Sequence, residues 1–408
     1  MRILQISHNF HMVGGSDAAF FATSKMLSDA GHEVIPFCME NRINHPSRWS
    51  RYFPRAADAR RAPLRDTFRY FFNSEARDKL RQLLDDVGPV DAAHLHIYHG
   101  KQTPAILPVL RERGITVVHS LHEYKLACPV YTLQRDGEPC ELCVQGSSLN
   151  CIRHRCKDGS FSRSVVMAGE YLSARLLGDV RLVDRFICVS EFQRQIMARA
   201  GIPPAKLSTL HNFVDTGAIA AEHGHDGYYL YFGRIEKLKG LSTLLSAVAQ
   251  SGHRLLIAGD GAWRDEMQTR ISDQSNVKYL GYQHGEALRR IVGRAKAVIV
   301  PSRWYENCPM SVLEAKAQAR PVIAARIGGL PELVRDGTDG FLFKAGDAQD
   351  LQRAFAALEA ADHGRLSRAA RQDAETRFSK SVHLRSLLKH YAGRRTTTAA
   401  REAAMQPA

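Results

Sequence analysis

At 408 residues the chain is longer than one ordinary hydrophobic core accommodates, so we expect two domains and a tail. No apolar run approaches the roughly 18 residues of a membrane-spanning helix, and the first seven residues are too short and polar for a signal peptide. The net charge of +14 predicts an anionic partner. Because no nucleic-acid-binding motif accompanies this charge, it favours a membrane surface and argues against nucleic acid.

The chain opens with a predicted strand, a glycine loop and a helix. The strand is predicted at 2–7, the loop contains Gly14 and Gly15, and Ser16 with Asp17 predicts the start of a helix that ends near Ala30. Such a unit begins a doubly wound nucleotide-binding domain, although adjacent glycines are equally typical of a plain turn. Further strands are predicted at 32–38, 92–97, 114–121 and 185–189, with a helix at 162–178.

Residues 41–82 are basic and aromatic. They hold eleven Lys or Arg against four Asp or Glu, and four aromatic side chains lie among the arginines, at Phe68, Tyr70, Phe71 and Phe72. This mixture predicts an element on a membrane surface. The alternative is an ordinary solvated helix.

Histidines follow two of the predicted strands. His94, His96 and His99 lie at or just beyond the strand at 92–97, and His122 follows the strand at 114–121. Residues two apart on a strand share a face, so His94 and His96 could bind a metal together. We favour the alternative that one is a core histidine and the others line a cleft.

Five of the eight cysteines lie between Cys128 and Cys156. Two close pairs stand out, Cys140 with Cys143 and Cys151 with Cys156, and their spacing predicts a structural zinc site with four cysteine ligands. Cys128 or His154 could replace one ligand. Free thiols and disulfides are the alternatives. Zinc would order an insertion at 125–159.

The second half repeats the strand and glycine pattern. A strand at 228–232 leads into Gly233 and Arg234, with Lys239 five residues later at the start of a helix. Arginine and lysine across such a turn can both bind a diphosphate, or can form an exposed basic turn. A strand at 254–258 is followed by a tight turn at 259–261, which includes Gly259 and Asp260.

Two glutamates bracket a predicted helix N-terminus between the strands at 297–300 and 322–325. Glu306 lies in the loop and Glu314 in a helix predicted at 311–319. Helix N-terminal amides suit a diphosphate, and carboxylates on either side can accept hydrogen bonds from sugar hydroxyls. The pair alone is also typical of two solvated acids.

Taken together these motifs resemble the family 4 retaining glycosyltransferases, and the resemblance covers nearly the whole chain. It is strongest in the phrase from Pro301 to Gly337 and in Gly233-Arg234 with Lys239-Gly240. It implies an α/β GT-B fold, in which two doubly wound Rossmann-like domains face each other across a cleft. The expected boundaries are 1–215 for an acceptor domain, 216–378 for a nucleotide-sugar domain, 379–394 for a helix crossing back, and 395–408 for a disordered tail.

The resemblance implies transfer of a hexose from a nucleotide-diphosphate donor to an acceptor hydroxyl, with retention at the anomeric carbon and no cofactor needed for catalysis. It assigns Glu306 and His122 to the transferred sugar, Glu314 to the ribose, and Arg234 with Lys239 to the leaving diphosphate. The other implied donor-binding residues are Gly14, Gly15, Gly233, Gly259, Asp260, Asn307, Cys308, Met310 and Ser311. The implied acceptor-side residues are Asp17, which stands where the family has glutamate, and His96 and His99.

We further expect a lipid-linked glycan acceptor in polysaccharide synthesis, and a cytoplasmic protein at the inner face of a membrane. The rival interpretations are a sugar-nucleotide epimerase of the same fold and a non-catalytic basic adaptor. Two positions depart from the family pattern. Pro309 and Ala319 stand where glycine is common, and Pro309 offers no amide to the donor.

Overall fold

The computed structural model describes residues 1–55, 68–221 and 224–392. The predicted tail at 395–408 lies outside these ranges, as does 56–67 of the basic aromatic segment. Each half of the described chain builds one six-stranded parallel sheet with helices packed against it. The predicted α/β architecture of two doubly wound domains is therefore confirmed.

The first sheet has the strand order β2-β1-β3-β4-β7-β8. The six residues of β4 are all buried, as expected of a strand with helices on both sides. A separate antiparallel hairpin, β5 and β6, lies in the cysteine-rich insertion. The strands are β1 Arg2–Ile6, β2 Glu33–Phe37, β3 Ala92–Leu95, β4 Thr116–Leu121, β5 Gln134–Arg135, β6 Glu138–Pro139, β7 Arg185–Cys188 and β8 Leu207–Thr209. The α-helices are α1 Gly15–Asp29, α2 Ser74–Val87, α3 Leu107–Glu112, α4 Leu142–Gln145, α5 Asn150–Arg153, α6 Phe161–Leu176 and α7 Glu191–Arg199.

The second sheet has the order β11-β10-β9-β12-β13-β14, with β9 and β12 adjacent at its centre. The strands are β9 Tyr229–Phe232, β10 Leu255–Ala258, β11 Val277–Tyr279, β12 Ala297–Val300, β13 Val322–Ala325 and β14 Gly340–Phe343. The α-helices are α8 Leu241–Ser251, α9 Arg264–Ile271, α10 Gly285–Gly293, α11 Met310–Ala317, α12 Leu330–Leu333, α13 Ala348–Ala360, α14 His363–Arg377 and α15 Lys380–Tyr391.

Two predicted helices are confirmed with shifted ends. The first begins at Gly15, one residue before the predicted Ser16, because Gly14 is its N-cap and the Asp17 carboxylate in its first turn accepts a hydrogen bond from the Gly14 amide at 3.0 Å. The helix predicted at 311–319 spans Met310–Ala317. It stops before Ala319 because that residue has φ of +58°, a left-handed conformation that cannot continue a right-handed helix.

The last helix, α15, packs against the first sheet. Leu387 and Tyr391 are buried beside Ile3 of β1 and Met26 of α1. The chain passes between the two halves at 214–216 and again at 378–379, where the Val214 amide donates to the Phe378 carbonyl at 2.9 Å. The C-terminal residues therefore complete the core of the N-terminal half.

Candidate active site

Close packing of two strand ends brings two of the predicted donor-binding residues, Lys239 and Glu306, together. Gly240 has φ of +75°, and a Cβ atom there would lie 1.7 Å from the carbonyl oxygen of Pro301. Only glycine therefore allows the turn after β9 to pack against the end of β12. This contact places Lys239 beside the loop that carries Glu306.

The Glu306 carboxylate accepts three hydrogen bonds at one oxygen. Oε1 lies 2.6 Å from Lys239 Nζ, 2.7 Å from Ser302 Oγ and 2.7 Å from Trp304 Nε1. Burial disfavours the charged form, but Lys239 and these donors outweigh burial and hold the pKa of Glu306 below its ordinary value. Oε2 makes no hydrogen bond with the described residues, so an ionised oxygen remains available for a ligand.

Two cations lie against the same indole ring. Lys239 Nζ is 4.9 Å and Arg234 Cζ is 5.8 Å from the Trp304 ring centre. The Arg234 side chain is 59% exposed and pairs with Glu236 at 2.8 Å. An exposed arginine and a largely buried lysine therefore bring two positive charges to one indole ring.

Glu314 lies one turn into α11, whose N-cap is Pro309. Its side chain is half-buried and makes no hydrogen bond with the described residues, and burial raises its pKa to about 7. A hydroxyl ligand would supply the hydrogen bonds that this carboxylate lacks. Met310 and Ser311 are the first two residues of α11, so their amides lie at its positive end, while Cys308 is buried just before it.

Two glycines of the second half pack against the backbone of the Glu306 loop. A Cβ at Gly328 would lie 2.4 Å from the Glu306 carbonyl oxygen, and one at Gly329 would lie 2.1 Å from that of Asn307. The Gly329 amide also donates to the Glu306 carbonyl at 2.7 Å. The glycine pair therefore fixes the loop backbone, a role that sequence reasoning did not assign.

The N-terminal half faces this loop through His122. The Asn307 side-chain amide donates to the His122 carbonyl at 3.2 Å, and Asn307 Oδ1 is buried without a partner in the described ranges. The His122 ring is nearly parallel to that of His96 and meets it edge to edge, with Nε2 2.8 Å from His96 Nδ1. Burial lowers the pKa of His122 to about 4, so its imidazole is neutral at physiological pH.

The predicted acceptor-side residues are more enclosed than expected. Asp17 is 3% exposed, and its carboxylate accepts hydrogen bonds from Asn9 and from the Val13 and Gly14 amides. It therefore holds the glycine loop in place. His96 is 2% and His99 8% exposed.

The remaining predicted donor-binding glycines are backbone positions. Gly259 has φ of +145°, and a Cβ there would lie 1.9 Å from the Gly233 carbonyl oxygen, so the turns after β9 and β10 touch. Asp260 caps the second turn through the Gly261 amide at 2.8 Å. Gly15 is the first residue of α1.

Contacts between the two halves include residues that sequence reasoning missed. Glu332 accepts from the Glu191 and Phe192 amides at 2.6 and 2.7 Å, which caps α7 from the other half of the molecule. Tyr305, next to Glu306, donates to Glu141 of the cysteine-rich insertion at 2.9 Å. The only sequence signal for Glu332 was its place in the Pro301–Gly337 phrase.

The cysteine-rich insertion shows no metal site. Within 1–55, 68–221 and 224–392, no group of three His, Cys, Asp or Glu side chains is arranged to hold a metal ion, and the eight cysteines are free. Zinc at Cys140, Cys143, Cys151 and Cys156 thus stays a prediction without support. Apolar packing orders the insertion, because Leu133, Val144 and Cys151 are buried in the core of the N-terminal half.

None of the described helices is both long and apolar enough to cross a bilayer.

Family models match both halves of the chain. One described as Glycosyl transferases group 1 covers residues 218–377, and one described as Glycosyltransferase Family 4 covers residues 13–218. The chain belongs to glycosyltransferase family 4. Two relatives of this family 4 protein are named D-inositol 3-phosphate glycosyltransferase. That of Mycolicibacterium vanbaalenii is 32% identical over 250 residues, which is 53% of this chain and 55% of the relative. That of Mycobacterium tuberculosis is 30% identical over 304 residues, 67% of this chain and 61% of the relative.

The matched region thus spans about three fifths of the length of these curated relatives. Solved structures match nearly the whole family 4 chain. Sucrose-phosphate synthase from Thermosynechococcus elongatus aligns with a TM-score of 0.71 and 17% identity, covering 98% of this chain and 99% of that one. Anabaena Alr3699/HepE, solved in complex with UDP, aligns with a TM-score of 0.63 and 16% identity, covering 96% and 100%. These likenesses confirm the predicted GT-B fold.

Proposed function

We propose that this family 4 protein transfers a sugar from a nucleoside-diphosphate donor to an acceptor hydroxyl. The observation that carries the proposal is the Lys239–Glu306 pair at 2.6 Å, set beside Arg234 and the start of α11. Positive charge for a diphosphate and an ionised carboxylate for sugar hydroxyls thus lie side by side. The HepE neighbour was solved with UDP, which is consistent with a nucleotide ligand at a site of this fold.

The reaction breaks the bond between the anomeric carbon and the donor phosphate, so negative charge develops on the leaving diphosphate. In our proposal Arg234, Lys239 and the amides of Met310 and Ser311 stabilise that charge, which their shared position around Trp304 and the start of α11 supports. The new bond to the acceptor oxygen forms on the same face of the sugar, and the acceptor proton passes to a leaving phosphate oxygen. We propose retention because the resemblance to the family 4 retaining glycosyltransferases implies it, and this front-face route achieves it without an enzyme nucleophile.

Each polar side chain of the site then has a distinct partner on the donor. The free Oε2 of Glu306 accepts from hydroxyls of the transferred sugar, and Glu314 accepts from the ribose. His122 contacts the sugar from the opposite half. Asn307 Oδ1, which has no partner among the described residues, accepts a hydrogen bond from another group of the nucleotide sugar. The first sheet's domain binds the acceptor and the second sheet's domain binds the nucleotide.

The proposed acceptor is a lipid-linked glycan at an anionic membrane surface, on the cytoplasmic side. The basic aromatic segment supports it in part. Phe68 is 76% exposed, whereas Tyr70 and Phe71 pack against Gly100 and Gly169 of the N-terminal half. The Phe71 ring packs against α6 at Gly169. The same helix exposes apolar side chains at Phe161, Val165, Leu172 and Leu176. Apolar side chains exposed on a protein of net charge +14 suit adsorption to anionic lipid.

A ligand panel tests the donor proposal. UDP, GDP, ADP and their sugars are added to the protein and the melting temperature is measured, because a ligand that binds only the folded state raises it. We expect a rise with one nucleotide series and its loss in Lys239→Met. Lys237→Met is the matched control, since Lys237 lies in the same turn with a side chain that is 75% exposed and pairs with Glu266 instead. The proposal fails if no nucleoside diphosphate raises the melting temperature.

Two further measurements address the finer points. Incubation of the protein with the bound nucleotide sugar and no acceptor distinguishes a transferase, which only hydrolyses it slowly, from an epimerase, which makes a new nucleotide sugar. Flotation with vesicles of anionic or neutral lipid tests the membrane proposal. Phe68→Ser with Leu176→Ser should reduce binding to anionic vesicles, and equal recovery with neutral vesicles would contradict it.

A further inference from the structure

A row of buried polar side chains lies behind His122. Gln5 of β1 is 0% exposed and lies between two histidines of the neighbouring strand end. Its Oε1 is 2.8 Å from His96 Nε2, and its Nε2 is 3.4 Å from His94 Nδ1. His96 Nδ1 in turn meets His122 Nε2 at 2.8 Å. Gln5 is therefore connected to His122 through the ring of His96.

The protonation of these rings follows from what each nitrogen faces. Burial lowers the pKa of His94, His96 and His122, so each is a neutral imidazole with a single N–H group. A carbonyl oxygen can only accept, so Oε1 of Gln5 requires the proton of His96 at Nε2. The Nδ1 of His96 is then a bare acceptor, and it requires the proton of His122 at Nε2.

The far end of the row follows in the same direction. The Gln5 amide can only donate to His94 Nδ1, so that nitrogen is bare and accepts from the Tyr391 hydroxyl of α15, 2.7 Å away, as well. His94 then carries its proton on Nε2, which lies 2.8 Å from Ser120 Oγ. From His122 to Ser120, each group donates to the next.

The consequence falls on the remaining nitrogen of His122. With the proton at Nε2, Nδ1 carries only a lone pair, and it has no hydrogen-bond partner in the part of the chain that the structure describes. His122 is also partly exposed. A ligand at Nδ1 must therefore bring its own hydrogen atom.

We propose that Gln5 is a positioning residue that fixes the tautomer of His122, so that His122 recognises the transferred sugar by accepting a hydrogen bond from a free hydroxyl. The proposal rests on the proposed function, in which His122 faces that sugar. It adds a selection rule. A sugar with a hydroxyl at this position is accepted, and one that presents only acceptors there, such as a carboxylate or an amide carbonyl, is disfavoured.

The test reads the tautomer directly and needs no donor. The protein is labelled with ¹⁵N at histidine, and the His122 signals are assigned as those missing from His122→Gln. We expect the wild-type spectrum to show the proton on Nε2 and a bare Nδ1. A proton on Nδ1 overturns the proposal, whatever the protein is later found to transfer.

Two variants separate the role of Gln5 from general packing. Tyr391→Phe removes a hydroxyl from the same buried cluster but leaves Gln5 in place, so it should keep the tautomer. Gln5→Met removes the acceptor opposite His96 and should mix the two forms. We expect Gln5→Met to lower kcat/KM about tenfold, the loss of one hydrogen bond, and to leave nucleoside-diphosphate affinity unchanged. An unchanged tautomer in Gln5→Met, or an equal loss of nucleotide affinity, overturns the proposal. If Gln5→Met does not fold, the wild-type and Tyr391→Phe spectra still decide it.

Discussion

Lys239 Nζ lies 2.6 Å from Glu306 Oε1, so the residue expected to hold the donor's diphosphate and the residue expected to hold its sugar form one ion pair. The side chains are only 17% and 8% exposed. A pair shielded from solvent to this degree interacts more strongly than a surface pair. A change at either residue therefore alters both halves of the donor site.

Lys239→Met should weaken nucleoside-diphosphate binding by about tenfold or more, as expected for loss of a charged hydrogen bond. It should also raise the pKa of Glu306, because burial disfavours the ionised carboxylate and the Lys239 cation no longer offsets that effect. Isothermal titration calorimetry measures the affinity. Lys237→Met, in the same turn but solvent-exposed, should bind as the wild type does. Equal affinities for all three proteins would exclude Lys239 from the diphosphate site.

Nucleotide-sugar affinity should rise with pH up to about 7 and then level off. Burial raises the pKa of Glu314 to about 7, and ribose hydroxyls that donate to this carboxyl favour its ionised form. Below that pH, binding must first displace a proton, so the ligand lowers the pKa of Glu314 and proton release accompanies binding. Calorimetry in buffers of different ionisation enthalpy counts that proton. A nucleotide sugar is used because its diphosphate does not titrate in this range. In Glu314→Gln the pH dependence should vanish, and its persistence would assign it to another group.

Lys316→Met should destabilise the second domain by about 3–5 kcal/mol. Lys316 is 0% exposed and lies 2.5 Å from Asp373 and 3.2 Å from Asp339, both fully buried. Removing the lysine leaves two buried carboxylates whose remaining partners, Arg335 and Arg377, are partly exposed. Urea unfolding measures the loss, and Lys344→Met is the control, since Lys344 is 80% exposed with a partner 3.9 Å away. A loss below about 1 kcal/mol, the range of surface pairs, would contradict the prediction.

Ala319→Gly should stabilise the protein by up to about 1 kcal/mol. Ala319 has φ of +58°, where a Cβ atom costs roughly 1–2 kcal/mol and glycine's greater freedom in the unfolded chain offsets part of the gain. Ala315→Gly, inside α11, is the matched control and should destabilise by about 1 kcal/mol. Thermal unfolding of the two variants measures the difference. The same sign for both would show that strain at Ala319 is absent.

The sequence predicts most reliably where burial is decided locally. The strands Ala297–Val300 and Val322–Ala325 have the bounds that their apolar runs indicated, because both are short and buried on both faces. The start of α1 was misplaced because the capping group is Asp17, a side chain inside the helix. Short strands such as β11 were missed because three residues show no periodicity.

Contacts between distant parts of the chain lie beyond pattern reasoning. The alternation of residues placed His94 and His96 on one face, and their rings are 4.4 Å apart. Nothing in the pattern placed Gln5 between them, 91 residues before His96. The capping of α7 by Glu332 spans 141 residues and depends on how the two halves meet. Composition and period report local burial, so such partners emerge only from the folded chain.

The position of α15 has a consequence for synthesis. Leu387 and Tyr391 pack beside Ile3 of the first sheet. During synthesis the core of that sheet therefore stays incomplete until nearly the last described residue has left the ribosome. Until then the apolar surface that α15 covers is exposed to chaperones and to other nascent chains. Removal of α15 would therefore destabilise the N-terminal half of the molecule, which is synthesised first.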